Sequence, residues 1–123
     1  MTTTPQGLLI THTSITPIPL GDHTTIHEQV GGWFDCVTTE SLVGYVHDEG
    51  LLIGLQLNPI ATALFGRILV GNCVVYSHLN DKGEYDGDSH PLTLEQLSVI
   101  AFHADAYKMW VENHLRVTEA GAV

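Results

Sequence analysis

The stretch from Ile26 to Tyr76 decides the fold; it reads IHEQVGGWFDCVTTESLVGYVHDEGLLIGLQLNPIATALFGRILVGNCVVY. A Gly-Gly pair, an Asp-Glu-Gly turn and an Asn-Pro pair divide it into apolar segments of helix or strand length. From these divisions we predict a short helix over 23–32, a strand over 33–38, a hairpin over 42–57 that turns at 48–50, a short helix over 58–66 and a strand over 67–79.

The two short helices carry sequence signals at their ends. Glu28 follows Thr25 by three residues, which is the spacing of a capping box, and Thr24 is the other candidate cap. The Gly-Gly pair at 31–32 predicts the end of this helix. The Asn-Pro pair at 58–59 predicts the start of the second helix, because proline suits the first helical position after an Asn cap.

The flanking segments complete the predicted domain. Residues 7–15 predict a first strand, and 16–22, with prolines at 17 and 19, predict a sheet edge or a loop. The polar run 80–91 predicts a loop, and the apolar periodicity of 92–116 predicts the longest helix, capped by Thr93. We expect a disordered tail at 1–6, one domain over 7–118 and a frayed tail at 119–123.

Together these segments predict an α+β fold. We expect an antiparallel or mixed sheet of about four or five strands, with the long C-terminal helix packed on one face and one or two short helices besides. The apolar face of the long helix should supply a major part of the core, since each large apolar side chain contributes about 1.5–3 kcal/mol when buried.

The charge balance excludes several classes of function. The chain has four Lys and Arg residues against fourteen Asp and Glu, which gives a formal net charge of −10. Binding to nucleic-acid phosphates needs clustered Lys and Arg, and binding to an anionic membrane surface needs the same. We therefore expect no direct nucleic-acid binding and no membrane association. The low charged fraction, 15%, leaves apolar surface for a partner or a homo-oligomer.

The cysteines and the N-terminus predict a cytoplasmic protein. Cys36 and Cys73 lie in apolar, strand-like runs and do not form a disulfide framework, so we expect two buried free thiols in a reducing compartment. The opening residues MTTTPQG lack the basic and apolar regions of a signal peptide.

Two groups of side chains have the composition of weak metal sites. His23 and His27 lie four residues apart on the first predicted helix, a spacing that places two imidazoles on one face. Asp86, Asp88 and His90 alternate in the 80–91 loop, and such oxygen ligands can hold Ca²⁺ or Mg²⁺. Both groups are also typical of solvent-facing polar segments, and the sequence favours that interpretation.

Other candidate chemistry is weaker. His47, Asp48 and Glu49 lie at the predicted hairpin tip, where exposure disfavours the shifted pKa values of an acid/base pair. Cys36 with a distant histidine has the composition of a thiol nucleophile, but no basic neighbourhood is evident. We therefore assign no catalytic residue and no cofactor.

One helix flank is a candidate interface. Four residues of the long helix fall at near-helical spacing on the edge of its core face: Phe102, Ala106, Met109 and Trp110. Aromatic residues and Met are enriched at protein interfaces. The same spacing is also typical of a wider core face, which the sequence favours.

The order of the elements resembles an uncharacterised small domain family of actinobacterial phages and bacteria, a domain of unknown function. The resemblance covers about residues 23–100 and rests on four segments: IHEQVGGWFDCV, HDEGLLIGLQLNPIAT, RILVGNCVV and PLTLEQL. It implies a phage-type accessory protein in a bacterial cytoplasm. It brings no catalytic residues, because the family has no assigned function.

Three functions remain as hypotheses. The favoured one is a non-enzymatic protein that binds a bacterial host protein or itself. The second is an acidic mimic of nucleic acid, of the antirestriction type, which would present its carboxylates as a regular array. The third is a small metal- or ligand-dependent enzyme that uses the histidine and aspartates of the 80–90 loop.

Overall fold

The computed structural model describes residues 6–106. Its elements are β1 (Gly7–Ile10), β2 (Ile15–Ile18), α1 (His23–Val30), β3 (Phe34–Thr38), β4 (Leu42–His47), α2 (Pro59–Phe65), β5 (Cys73–Ser77) and α3 (94–106). The strands form one antiparallel sheet in the order β2-β1-β5-β4-β3. The predicted α+β class, with a C-terminal helix and two short helices, is confirmed.

The core lies on both faces of this sheet. On one face Ile100 of α3 and Leu64 of α2 pack in the same cluster as Val75 of β5. On the other face Ile26 of α1 packs with Tyr76. Successive residues of a strand point to opposite faces, so β5, which is buried along its whole length, serves both layers.

The start of α2 is confirmed, and it is built around a buried amide. Asn58 is fully buried and caps the helix, its Oδ1 accepting a hydrogen bond from the N–H of Ala61 at 3.1 Å. Its Nδ2 donates to the carbonyls of Ile10 and Gly71, both at 2.8 Å. One side chain therefore joins β1, α2 and the segment before β5.

The caps of the other helices follow the same chemistry. Thr93 caps α3 as predicted, in a reciprocal pair in which each backbone N–H, of Thr93 and of Gln96, donates to the other's side chain. The predicted cap of α1 is wrong: the N-cap is Asp22, whose Oδ1 accepts from the N–H groups of Thr24 and Thr25. These bonds favour the ionised carboxylate and lower the pKa of Asp22, the bond from Thr25 most.

The first predicted strand is split in two. Residues 11–14 form a turn in which the Thr11 Oγ1 accepts hydrogen bonds from the N–H groups of Thr13 and Ser14. Polar side chains that bond to nearby backbone favour turns over strands. The chain then returns as β2, the sheet edge predicted from its prolines.

The predicted hairpin over 42–57 is wrong in its second half. β4 ends at His47, and residues 48–54 turn without forming a strand. The returning chain makes a single bridge, between Leu57 and Val70. The predicted strand over 67–79 is correspondingly shorter, because Gly71 has φ +75° and interrupts it.

The strand predicted over 33–38 forms as β3, but most of its residues are not buried. β3 is an edge strand, and only Val37 in it is buried. Cys36 is exposed, contrary to prediction, whereas Cys73 on the central strand is buried as predicted. The predicted tail at 119–123 and the end of the long helix lie outside the described residues.

Replacing Asn58 by Ala should lower the free energy of unfolding by about 2–4 kcal/mol, because a helix cap is lost and two carbonyls, one buried and one partly buried, lose their donor. Denaturant unfolding followed by circular dichroism measures this loss. The matched control is Asn80→Ala, which removes hydrogen bonds within a surface loop and should cost less than about 1 kcal/mol. Equal losses for the two variants would contradict the proposed role of Asn58.

Candidate functional site

A cleft with a volume of about 660 Å³ lies beside the edge strand β3. We call it the β3 cleft. It is lined by residues of β3, of the turn after β4 and of the segment after α2: Asp35, Cys36, Val37, Val46, His47, Asp48, Glu49, Gly50, Leu51, Leu52, Arg67, Ile68, Leu69 and Val70. The cleft therefore lies where the hairpin prediction failed.

Backbone hydrogen bonds hold the turn that forms one wall. The N–H of Ile53 donates to the Glu49 carbonyl at 3.0 Å, and the N–H of Leu55 donates to the Gly50 carbonyl at 2.9 Å. The N–H of Gly71 then donates to the Gln56 carbonyl at 2.7 Å. The turn is thus folded on itself and fastened to the segment before β5.

Two glycines allow this fastening. A Cβ on Gly50 would lie 2.8 Å from Cγ2 of Val70, and one on Gly71 would lie 2.7 Å from Cδ1 of Leu55. Contacts this short would force the side chain of Val70 or of Leu55 to move, and at Gly71 the φ of +75° would also strain any larger residue.

The turn presents apolar side chains to solvent. Leu51, Leu52 and Ile53 are 75%, 86% and 55% exposed, and we call these three residues the apolar tip. Across the β3 cleft, Ile68 is 70% exposed. Single exposed apolar residues are ordinary, whereas large contiguous apolar patches are common at interaction surfaces.

The polar residues of the β3 cleft are mainly acidic. Asp35, Asp48 and Glu49 are exposed carboxylates, and Arg67 is the basic residue among the lining side chains. His47 is occupied structurally, since its Nδ1 accepts a hydrogen bond from the N–H of Glu49 at 3.0 Å. The cleft therefore combines apolar walls with a net negative rim.

A second cleft, of about 490 Å³, gathers part of the predicted metal candidates. We call it the His90 cleft. His23 of α1 and both Asp88 and His90 of the 80–91 loop line it, so the structure brings together residues from the two predicted groups. His27 does not line it and instead stacks edge-on against Trp33, with ring centroids 4.9 Å apart.

Asp86 and His90 contact each other directly. The Nε2 of His90 lies 2.7 and 2.8 Å from the two carboxylate oxygens of Asp86. This bond, more than the N–H of Asp88, lowers the pKa of Asp86. Within residues 6–106 no group of three or more His, Cys, Asp and Glu side chains is arranged to hold a metal ion.

The predicted helix interface is only partly described. Phe102 is exposed on α3, and so is Ala106 at the last described position. Met109 and Trp110 lie outside the described residues. The interface remains a prediction for this flank.

Comparison with known proteins places the chain in a family. A family model described as a domain of unknown function, DUF3846, matches residues 5–101. The chain belongs to this family. The match confirms an uncharacterised domain, and the phage and bacterial origin stays a prediction. Both clefts of this DUF3846 domain lie within the matched residues.

Two further searches found no close relative. No curated protein and no solved structure matches the chain significantly. In the described part of the DUF3846 domain, no helix has the length and apolar character needed to cross a membrane.

Sequence reasoning missed the β3 cleft itself. Leu51, Leu52 and Ile53 were assigned to a strand, because an apolar run after a turn is typical of a hairpin. Gly54, at φ +73°, interrupts this run and was the available signal for a turn.

The two thiols should differ in reactivity. Cys36 is exposed, whereas Cys73 is fully buried and desolvation raises its pKa to about 12. A maleimide should therefore modify one thiol in the folded protein and both after denaturation, as counted by intact-mass spectrometry. Folded Cys36→Ala should remain unmodified. Rapid labelling of that folded variant would contradict the described position of Cys73.

Replacing His90 by Ala should raise the pKa of Asp86, because the bond that favours its carboxylate is removed. In the wild type the lowered pKa keeps Asp86 ionised to a lower pH than in the variant, and the contact is lost as the pH falls through that pKa. Carboxyl NMR titration measures the shift. The control His78→Ala removes a ring stacked on Tyr85 and should leave Asp86 unchanged. An unaltered titration in His90→Ala would refute the assignment.

Proposed function

We propose that this DUF3846 domain is a non-enzymatic protein-binding module, a phage-type accessory protein that acts in the bacterial cytoplasm and contacts its partner through the apolar tip. The observation that carries the proposal is the exposure of three consecutive apolar side chains beside the β3 cleft. Leaving such a group in water is unfavourable, and covering it with a partner removes that cost.

The construction of the tip supports a binding role. The hydrogen bonds of Ile53 and Leu55 fix the turn, and the close packing of Gly50 and Gly71 fastens it to the domain. A preformed surface loses little conformational entropy when a partner binds it, which favours affinity. An exposed apolar loop held this firmly is therefore suited to recognition.

The chemistry of the β3 cleft supports binding rather than reaction. Its histidine, His47, is engaged by the N–H of Glu49 and lies against Gly32, where an added Cβ would meet Nε2 at 2.6 Å. A general base needs a ring nitrogen within reach of its substrate. His47 instead serves to shape the turn.

Replacing Leu52 by Asp should abolish partner binding, because it places a charge at the most exposed position of the tip. The experiment immobilises the wild type, captures proteins from an actinobacterial lysate and quantifies them by mass spectrometry. We expect at least one protein that the wild type retains in stoichiometric amount and that Leu52→Asp loses.

The matched control is Leu94→Asp, which makes the same change at another exposed leucine, on α3. This variant should retain the captured protein, and circular dichroism should show that both variants are folded. Capture that survives Leu52→Asp, or that is lost equally in Leu94→Asp, would overturn the proposed binding surface.

A further inference from the structure

We propose that β3 binds an extended, basic and apolar segment of the partner as a sixth strand of the sheet. The inference rests on the proposed function and names the class of partner that the same surface recognises. It follows from three properties of β3: which of its backbone groups are free, what lies beside them, and the charge of the rim.

The backbone groups of β3 can be assigned from its pairing with β4. The register pairs Phe34 with His47 and Cys36 with Tyr45. Just beyond the strand, the N–H of Asp48 donates to the Trp33 carbonyl at 3.0 Å. In an antiparallel pair every second residue bonds to the partner strand, so residues 33, 35, 37 and 39 face β4.

The remaining residues direct their N–H and C=O groups away from β4. These residues are Phe34, Cys36 and Thr38, and within residues 6–106 no strand pairs with that side of β3. Unpaired groups in a row are a template for an added strand.

The opposite edge of the sheet is different. Ile15 and Pro17 are the residues of β2 whose backbone groups face outward, and Pro17 has no N–H to donate. Proline at this position is a common means of blocking strand addition. The free edge at β3 has no proline, so only one edge of the sheet is open to a full ladder.

The β3 cleft provides pockets for the side chains of an added strand. Asp35 and Val37 point to the face of the sheet that carries α2, and both line the cleft together with Leu52 and Ile68. Every second side chain of a strand paired with β3 would point to that same face. Apolar side chains at those positions would contact the tip and Ile68.

The charge of the rim selects the sign of the ligand. Asp35, Asp48 and Glu49 surround the free edge, and Arg67 with Lys82 are the basic residues within the described part of the chain. A second copy of this chain would bring another −10 to the surface and is disfavoured. A segment that carries Lys or Arg between apolar residues complements both the walls and the rim.

The test uses displayed random peptides of about ten residues, enough to span the edge strand. Peptides are selected on the full-length wild type and measured against Cys36→Pro and Cys36→Ala. Proline at this position removes an outward N–H while leaving the ladder to β4 intact, and alanine retains it. Selected peptides should carry basic residues between apolar residues at alternate positions, and they should bind more weakly as the salt concentration is raised.

We expect the peptides to bind Cys36→Pro at least about tenfold more weakly than Cys36→Ala, which keeps the outward N–H, because proline removes a hydrogen bond and introduces a steric clash. Hydrogen exchange on the wild type gives an independent measurement if Cys36→Pro does not fold. Bound peptide should protect the amides of Phe34, Cys36 and Thr38, whereas the outward amide of Ile15 on β2 should exchange as before.

Three results would overturn the inference. The first is that no peptides are enriched, and the second is that the enriched peptides are acidic. The third is binding that Cys36→Pro does not weaken and that does not protect the edge amides. The variant Leu52→Asp separates the two proposals. Binding that is lost in Leu52→Asp but kept in Cys36→Pro refutes strand addition and leaves the apolar tip as a binding surface. Binding that survives both variants refutes both.

Discussion

The fold of this DUF3846 domain depends on one buried amide, that of Asn58. Its three hydrogen bonds join the carbonyl of Ile10 in β1, the carbonyl of Gly71 before β5 and the first turn of α2. A buried amide without these partners would be strongly unfavourable, so the three segments have one compatible arrangement. That arrangement ties the middle of the connection between β4 and β5 to its end before β5, and the exposed turn lies between β4 and this tie.

Local signals predicted the elements whose ends are set by nearby residues. The Asn-Pro pair sets the start of α2 and Gly66 its end, and Thr93 with Gln96 sets the start of α3. These ends are predictable because capping is a contact between residues a few positions apart. The second half of the predicted hairpin is wrong for the opposite reason. Whether Leu51–Ile53 pairs as a strand depends on Gly50 packing on Val70 and on Gly71 packing on Leu55, which composition does not reveal.

The candidate sites were predictable only in part. Helical spacing pairs His23 with His27, whereas the structure places His23 in a cleft with His90, which is distant from it in the sequence. Cys36 was expected in the core, but strand order puts β3 at the edge. Strand order is decided by long-range pairing, so exposure of an apolar-looking strand cannot be deduced from its own residues. The acidic composition, by contrast, was visible in the sequence and gives the cleft its charge.

Pro17 has a consequence for growth of the sheet. A protein with two open edges can add copies without limit and form fibres, because each new strand exposes another template. Here β2 interrupts the ladder at one end, and at the other end no strand within residues 6–106 pairs with the outer side of β3. Even two chains paired through β3, which their shared negative charge disfavours, would bury the open edge of both and end there. The sheet is therefore terminated on one side, and any assembly built through it is closed rather than polymeric.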